Sequence, residues 1–573
     1  MPNVVEDVAS PAVLRDAAVE RATRRRAPLA AAALAGAALL VGLVVLLYFA
    51  SVHAVPGNSD GATVILEGQA MGAGNLTLHH WFLSFDSFWG VDAPIYALAV
   101  LVAGLRPELL NLVPAAIAAC VVVVGMWLAR HGRRGAAGAA GALVVLALLA
   151  FPTHALSTFY LQGPLHVGTA LWCLLAFASL CTGYSRWRWA VAVLFLATGA
   201  VGDLQTLAFG VLPLGLGGVL AALRTRRWRE GVPAATAAAA SVVLALVARE
   251  VAKVIGTFTV NKSNPTATLR EMLTNLKLAV TYGDKLLGVG SQGFGSGGVP
   301  SGLLAVHVLG VLAILAGVLA AAVGLVRSVL RGPAGAGPAA RSGDTSAAGA
   351  AVGAGGTAAE AGSGPSAPWR LDDVLLLAFL GDLAVFVILT PAANPAYARY
   401  LTAAIVFGAI LAGRLAARVV PLIRRRLVVR ASAVAAAAAT LCFAASVGYN
   451  VAEAAPLQPT AALGRFLAAH GLVEGVGDYW SASIVTVESR GRVRVRPVTA
   501  PFGRVVTYTR NSSSTWYTGH TFQFLVYNPA LPFGDVDAKT ATATFGKPAH
   551  VWAVDGYLVL AWRHRISVAS GLP

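Results

Sequence analysis

Apolar runs of about 20 residues, broken by short polar turns rich in arginine, recur along most of this sequence. That is the length a helix needs to cross roughly 30 Å of hydrocarbon. The first run, about Pro28–Ala50, follows Arg21, Arg24, Arg25 and Arg26. The second, about Leu109–Leu128, ends at Arg130, His131, Arg133 and Arg134. A third rises to Pro152–His166, a fourth returns to Arg186 and Arg188, and a fifth reaches Asp203 and Gln205. The sixth ends at Arg224, Arg226, Arg227 and Arg229, the seventh covers about Pro233–Val254, and the eighth ends at Arg327 and Arg331. The ninth is about Asp373–Thr390, the tenth follows PAANPAYARY, and the eleventh runs from after Arg426 to near Tyr449. Arginine clusters at alternate ends predict a cytoplasmic N-terminus. The expected fold is therefore an α-helical polytopic membrane protein of about eleven transmembrane helices.

The segments between the runs divide the chain further. Residues 1–27 read as a cytoplasmic tail, and 28–449 as the membrane part. Within it, 51–96 is a first outer loop and 256–300 a second, which ends in the Gly-rich SQGFGSGGVPSG and reads as a flap or linker. Gly332–Ser366 is almost entirely Ala, Gly, Ser and Pro, a composition expected to stay disordered on the cytoplasmic side. Pro94–Leu105 is too short to cross and reads as an interfacial helix. From Asn450 the pattern changes: a helical Leu463–His470 precedes the β-type runs SIVTVES, RVRVRPV, RVVTYTR, TFQFLVY and YLVLAW. Residues 450–573 are thus expected to form a soluble extracytoplasmic domain, α/β or mostly β.

Composition supports the membrane class: 57% of residues are hydrophobic, 12% are charged, and mean hydropathy is +0.70. The net charge of +17 comes mostly from arginines at the ends of runs, so it reports orientation and gives no reason to expect nucleic acid. Arg-over-Lys usage with abundant Ala and Gly fits a GC-rich bacterial source and its plasma membrane. The four cysteines lie in or beside apolar runs, which supports neither a disulfide framework nor a zinc site.

The chemistry concentrates in SVHAVPGNSDGATVILEGQAMGAGNLTLHHWFLSFDSFWGVDAPIY, residues 51–96, which holds Asp60, Glu67, Asp86, Asp92, His79 and His80 and no Lys or Arg. Asp60 in NSDGAT also reads as a turn residue; the neighbouring acids favour a chemical role. Grouped carboxylates beside a bilayer could take a proton from an acceptor hydroxyl or hold a metal ion, and the spacing leaves the metal open. His79 and His80 are candidates for phosphate or sugar contact, with Trp81 and Trp89 also readable as an interfacial belt. His154, Tyr160, Gln162 and His166 form a second outer cluster that could face the same cavity. Asp203 and Asp382 are acids at membrane depth, where such groups usually face a cavity. Arg399, beside Tyr400, is the one cation on a short outer loop and reads as a phosphate clamp, or else as a snorkelling helix-end arginine.

The span pattern, acidic first outer loop with its interfacial helix, Arg399–Tyr400 at the start of a late span, and outer C-terminal domain resemble the GT-C glycosyltransferases, the polyprenyl-phosphate-sugar-dependent membrane enzymes. The resemblance covers most of the chain in topology while its local motifs are loose. It implies an inverting transfer from a polyprenyl-phosphate-linked sugar to a glycan or protein acceptor at the cell envelope. By position it gives Asp60 the role of base or acceptor-orienting group, and Arg399 that of phosphate ligand. The family's protein mannosyltransferases place a Glu directly after that Asp; here Gly61 follows, so a second acid would be Glu67, Asp86 or Asp92. Two other classes compete. A lipid-linked-sugar transporter or flippase would use Asp203 and Asp382 as coupling groups, although no inverted repeat is evident. A non-catalytic scaffold would present the C-terminal domain to envelope partners.

Overall fold

The computed structural model describes residues 11–260, 266–290, 303–330, 369–388, 394–422, 437–448, 452 and 459–570. Most of the Gly-rich end of the second loop, all of Gly332–Ser366 and the Arg424–Arg426 cluster lie outside the described residues.

A helix stands wherever the hydropathy pattern places a span: α1 (Pro11–Ala54), α4 (Leu109–Arg130), α5 (Gly135–Leu149), α7 (His166–Cys181), α8 (Arg186–Gly202), α9 (Leu212–Thr225), α10 (Trp228–Val254), α12 (Leu304–Leu330), α13 (Leu371–Ile388), α14 (Thr402–Val419) and α15 (Ala437–Gly448). The count of eleven crossings is a different matter. By length and composition, six of the described helices can cross a membrane, or seven if the bent pair formed by α5 and α6 (His154–Tyr160) is one span. The others fall short because α7 has 16 residues and α8 has 17, and because α13 carries Asp372, Asp373 and Asp382. Exposed Leu and Val line α10 and α12, as expected of helices that meet lipid tails.

The first outer loop is more ordered than its turn-forming residues suggest. Asn58 accepts a hydrogen bond from the Gly61 N–H (2.9 Å) and caps α2 (Ser59–Gly72), which places Asp60 in the first turn, where a negative charge suits the helix dipole. After α2 come the short β1 (Trp81–Leu83) and α3 (Ala93–Ala103), the expected interfacial helix. The second loop supplies β2 (Thr259–Val260) and the amphipathic α11 (Leu269–Leu286), which starts at a Thr268/Glu271 capping box.

The C-terminal region folds on a six-stranded mixed sheet, order β5-β4-β3-β7-β9-β8: β3 (Glu474–Gly477), β4 (Arg494–Thr499), β5 (Val506–Thr507), β7 (Phe522–Tyr527), β8 (His550–Val554) and β9 (Tyr557–Ile566). Successive side chains of β7 enter two cores, Phe524 and Val526 on one face, Leu525 and Tyr527 on the other. The helices of this region are α16 (Ala461–Ala469), α17 (Tyr479–Glu488) and α18 (Ala538–Phe545).

One strand expectation fails. SIVTVES lies mostly in α17, not in a strand. Its β-branched residues suit either structure, but β3 and β4 are parallel, and parallel neighbours need a crossover, here a helix. Asp478 fixes its start by accepting from the Trp480 and Ser481 N–H groups (2.9 and 3.1 Å).

A second, three-stranded sheet joins three distant parts of the chain. In it β1 pairs with β2 in parallel and with β6 (Ser512–Ser513) antiparallel, Trp81 opposite Ser513. Next to it, α17 packs on α2, and Thr63 donates to Ser483 (3.0 Å).

Candidate active site

The joining sheet and α2 set the walls of a cavity of about 280 Å³ at the end of the bundle that carries the C-terminal region. From α2, Asp60, Thr63 and Glu67 face it, spaced i, i+3 and i+7 so that one helical face carries all three. After β1 the chain bends through Ser84 to Phe88, so Asp86 lines a second wall. The Phe88 N–H donates to Gly202 O (2.8 Å), which ties this bend to the end of α8. His166 and Gln205 form the floor. Arg399 and Tyr400 enter from the turn Pro395–Leu401 that precedes α14. Arg510 and Asn511 descend from the C-terminal region just before β6.

Each charged group has a distinct setting. Asp60 accepts from the Tyr479 hydroxyl, and Asn511 Nδ2 donates to that same hydroxyl (2.9 Å). Asn511 Oδ1 also accepts from the Ser84 N–H (3.0 Å), so one amide side chain links both carboxylate-bearing walls. Burial pushes the Asp86 carboxyl up to about 6, with Asp203 adding to the rise while His166, Arg399 and Arg510 oppose it. Glu67 is almost fully buried and rises well above the ordinary range, from burial first and then from Asp60. Both causes favour its protonated form, which can donate a hydrogen bond.

Arg399 lies within electrostatic reach of Asp60 and Asp86. Its guanidinium stands 5.1 Å from the Tyr400 ring, Nη2 donates weakly to the Tyr400 hydroxyl (3.4 Å), and the buried Nε has no partner among the described residues. The ring of His166 stacks on Tyr400 at 4.8 Å. Behind it, His166 Nδ1 meets Asp203 Oδ2 (2.8 Å), Thr169 donates to the same oxygen (2.5 Å), and the Gln205 N–H donates to Oδ1 (2.9 Å). Gln205 Oε1 is also buried without a partner. Orphaned buried polar atoms at a cavity wall are what a polar ligand would satisfy.

The candidates from sequence thus separate. Asp60, Glu67, Asp86, His166, Arg399 and Tyr400 line the cavity, and Asp203 holds His166 from behind. Asp92 does not line it. It is buried under the wall, pushed up to about 8 by burial first and then by Asp203, and wedged so tightly against α7 that a Cβ on Gly168 would sit 1.9 Å from Oδ1. His79 and His80 lie beside the joining sheet, where Ser514 N–H donates to His80 O (2.8 Å). His154 opens α6, Tyr160 donates to Ala118 O (3.3 Å) in the helical core, and Gln162 is likewise outside the lining. Asp382 accepts from the Ala404 N–H (2.7 Å) and so caps the start of α14. Sequence reasoning does not find Arg510 and Asn511, in the bend before β6, or Tyr479, at the start of α17, because nothing local marks them. Among the described residues, no three His, Cys, Asp or Glu side chains converge to hold a metal ion.

No family model matches the sequence, and no curated protein matches it. Among solved structures, apo ArnT from Cupriavidus metallidurans aligns over 92% of this chain and 98% of its own, with a TM-score of 0.53 and 13% identity. The Archaeoglobus fulgidus oligosaccharyltransferase in complex with Zn and sulfate covers 86% of this chain and 68% of its own, at TM-score 0.45 and 10% identity. The archaeal oligosaccharyltransferase AglB of the same organism, in complex with an inhibitory peptide and a dolichol-phosphate, gives 86% and 69%, 0.42 and 11%. The chain thus shares its fold with ArnT, and six of its described helices are long and apolar enough to cross a membrane. Its particular arrangement, helical bundle and C-terminal region together, is that of ArnT over nearly the whole length of both chains.

Proposed function

We propose that this chain is an inverting membrane glycosyltransferase that moves a sugar from a polyprenyl-phosphate donor to an acceptor hydroxyl at the cell envelope. The observation that carries the reading is the cavity itself: two arginines, Arg399 and Arg510, face two carboxylates, Asp60 and Asp86, across a space open at one end of a lipid-facing bundle. Such a space suits a phosphate leaving group on one side and an acceptor proton on the other.

In this scheme Arg399 and Arg510 hold the donor phosphate. The acceptor hydroxyl attacks the anomeric carbon, the C1–O bond to phosphate breaks, and polyprenyl phosphate leaves with its charge held by the arginines. The acceptor proton passes to Asp60, whose carboxylate Tyr479 orients. Asp86 is the second acid, with an ionisation near neutrality that suits a supporting base. Glu67 and the Gln205 side-chain oxygen fit hydrogen bonding to sugar hydroxyls.

The arginine clusters at the opposite end of the bundle support a reading in which that end faces the cytoplasm and the C-terminal region lies outside, in a bacterial plasma membrane. Cysteine introduced at exposed Lys539 should then be labelled in intact cells. The reaction is tested in nanodiscs with a panel of polyprenyl-phosphate sugars, reading release of polyprenyl phosphate. Release by the wild type and its loss in Asp60→Asn supports the assignment; wild-type release by that variant removes Asp60 as the base. Asp203 and Asp382, the coupling groups a transporter would need, are both held by internal partners, His166 and Thr169 for one, the α14 backbone for the other.

A further inference from the structure

A second and larger cavity, about 690 Å³, lies on the other side of α2. Where Asp60, Thr63 and Glu67 face the first cavity, Leu66, Gln69 and Ala70 face this one, and strand β4 with the β6 turn closes it. We propose that this second cavity binds an anionic saccharide, whose carboxylate or phosphate is taken by Arg496, with Arg490 and Arg494 at the rim.

Three arginines line the cavity and no Asp or Glu does. Arg490 and Arg494 have partners, Glu108 (3.1 Å) and Glu474 (3.4 Å), but both arginines are about half exposed and free to turn. Arg496 differs. It is partly buried, carries no ion pair among the described residues, and lies over the Trp516 indole with Cζ 4.4 Å from the ring centre. Burial pushes its guanidinium down to about 10, with Tyr517 and the more distant Glu474 opposing the fall and Arg494 adding to it. Trp516 is fixed in turn by Trp81, edge to face at 4.9 Å. An arginine held on an indole keeps its N–H fork in place for bidentate contact with a planar carboxylate or a phosphate. The volume falls within the range of small-molecule sites, well beyond a bare anion. The exposed side-chain amide of Gln69 and hydroxyl of Thr515 suit a polyol rather than an acyl chain. This site does not depend on the reaction assigned to the first cavity.

The test uses the full chain in phosphatidylcholine nanodiscs, with fluorescent trigalacturonate and mannose 6-phosphate as anionic probes and maltotriose as the neutral one. Saturable binding of at least one anionic probe, absent for maltotriose, is expected. Arg496→Gln should weaken it about 10- to 100-fold, the scale of one charge-assisted contact. The rim variant Arg490→Gln, which leaves the fold's interior alone, should weaken it about threefold by the same loss at an exposed position. Arg399→Gln should leave it unchanged. Four results would overturn the proposal: no preference for the anionic probes, no effect of either β4-side variant, equal loss in Arg399→Gln, or displacement of the probe by phosphatidylglycerol in the disc. The last would make the occupant a bilayer headgroup.

Discussion

The two ends of the helical bundle use charge in opposite ways. At the end away from the C-terminal region, Asp372 accepts from Arg414 and Arg418, Asp373 accepts from Arg224, and Arg414 also donates to Leu128 O (2.8 Å). Each acid there is matched by a cation in contact. At the other end, Asp60, Asp86, Arg399 and Arg510 line the same cavity without an ion pair between them among the described residues. Buried charges are costly unless paired. Where they are paired the role is structural, clamping α9, α13 and α14 together. Where they stand apart around open space, the arrangement suits a charged ligand. That contrast separates the candidate site from a bundle whose acids and arginines look much alike in sequence.

Substitutions at the two ends should therefore fail in different ways. The largest effect is expected of Asp60→Asn, with turnover reduced about 10²–10⁴-fold, the usual cost of losing a general base, and little change in thermal stability. A drop in stability with proportionate activity would break the contrast. Next, Arg224→Ala strands Asp373 and should cost on the order of 3 kcal/mol of stability. Thermal unfolding in detergent would show it, and the surviving folded fraction should turn over normally. Arg399→Gln should be milder still: a donor KM raised about tenfold, from the loss of one charge-assisted phosphate contact, with stability near wild type.

The smallest effect is on pH dependence. Asp86 and Asp92 are both raised in the folded state, to about 6 and about 8, so their protonated forms are favoured by folding. The stability they confer is present below about pH 4 and lost as pH rises through 6 and then 8. The melting temperature of the ligand-free protein should fall across that window, and Asp92→Asn should flatten its upper half. A flat profile in the wild type would show that both carboxylates are better solvated than the structure implies.

Hydropathy alone located a helix at every expected span, because a lipid environment leaves few alternatives to a helix. It did not resolve the number of crossings, since helices such as α7 and α8 are shorter than a full span. The acidic first loop pointed to Asp60, Glu67 and Asp86, and the isolated cation to Arg399, and all four line one cavity. Asp92 looked equal to its neighbours in sequence; only the packing of Gly168 shows that it is buried in the wall. Arg510, Asn511 and Tyr479 reach the site through β1–β6 pairing and the α2–α17 contact, between segments more than 400 residues apart. No local pattern encodes such pairings. The turn-like NSDGAT and the β-like SIVTVES misled for one reason: capping and crossover geometry decided structures that composition left open.

The central claim, that the unpaired charges await a lipid phosphate, needs no knowledge of the sugar, because polyprenyl phosphate is the product common to every such donor. The most direct measurement is a cryo-EM structure of the chain in nanodiscs with bound polyprenyl phosphate. The account predicts phosphate density between Arg399 and Arg510, with the prenyl chain leaving between helices toward lipid. Phosphate density elsewhere, with these arginines unmoved and unoccupied at saturating ligand, would contradict it.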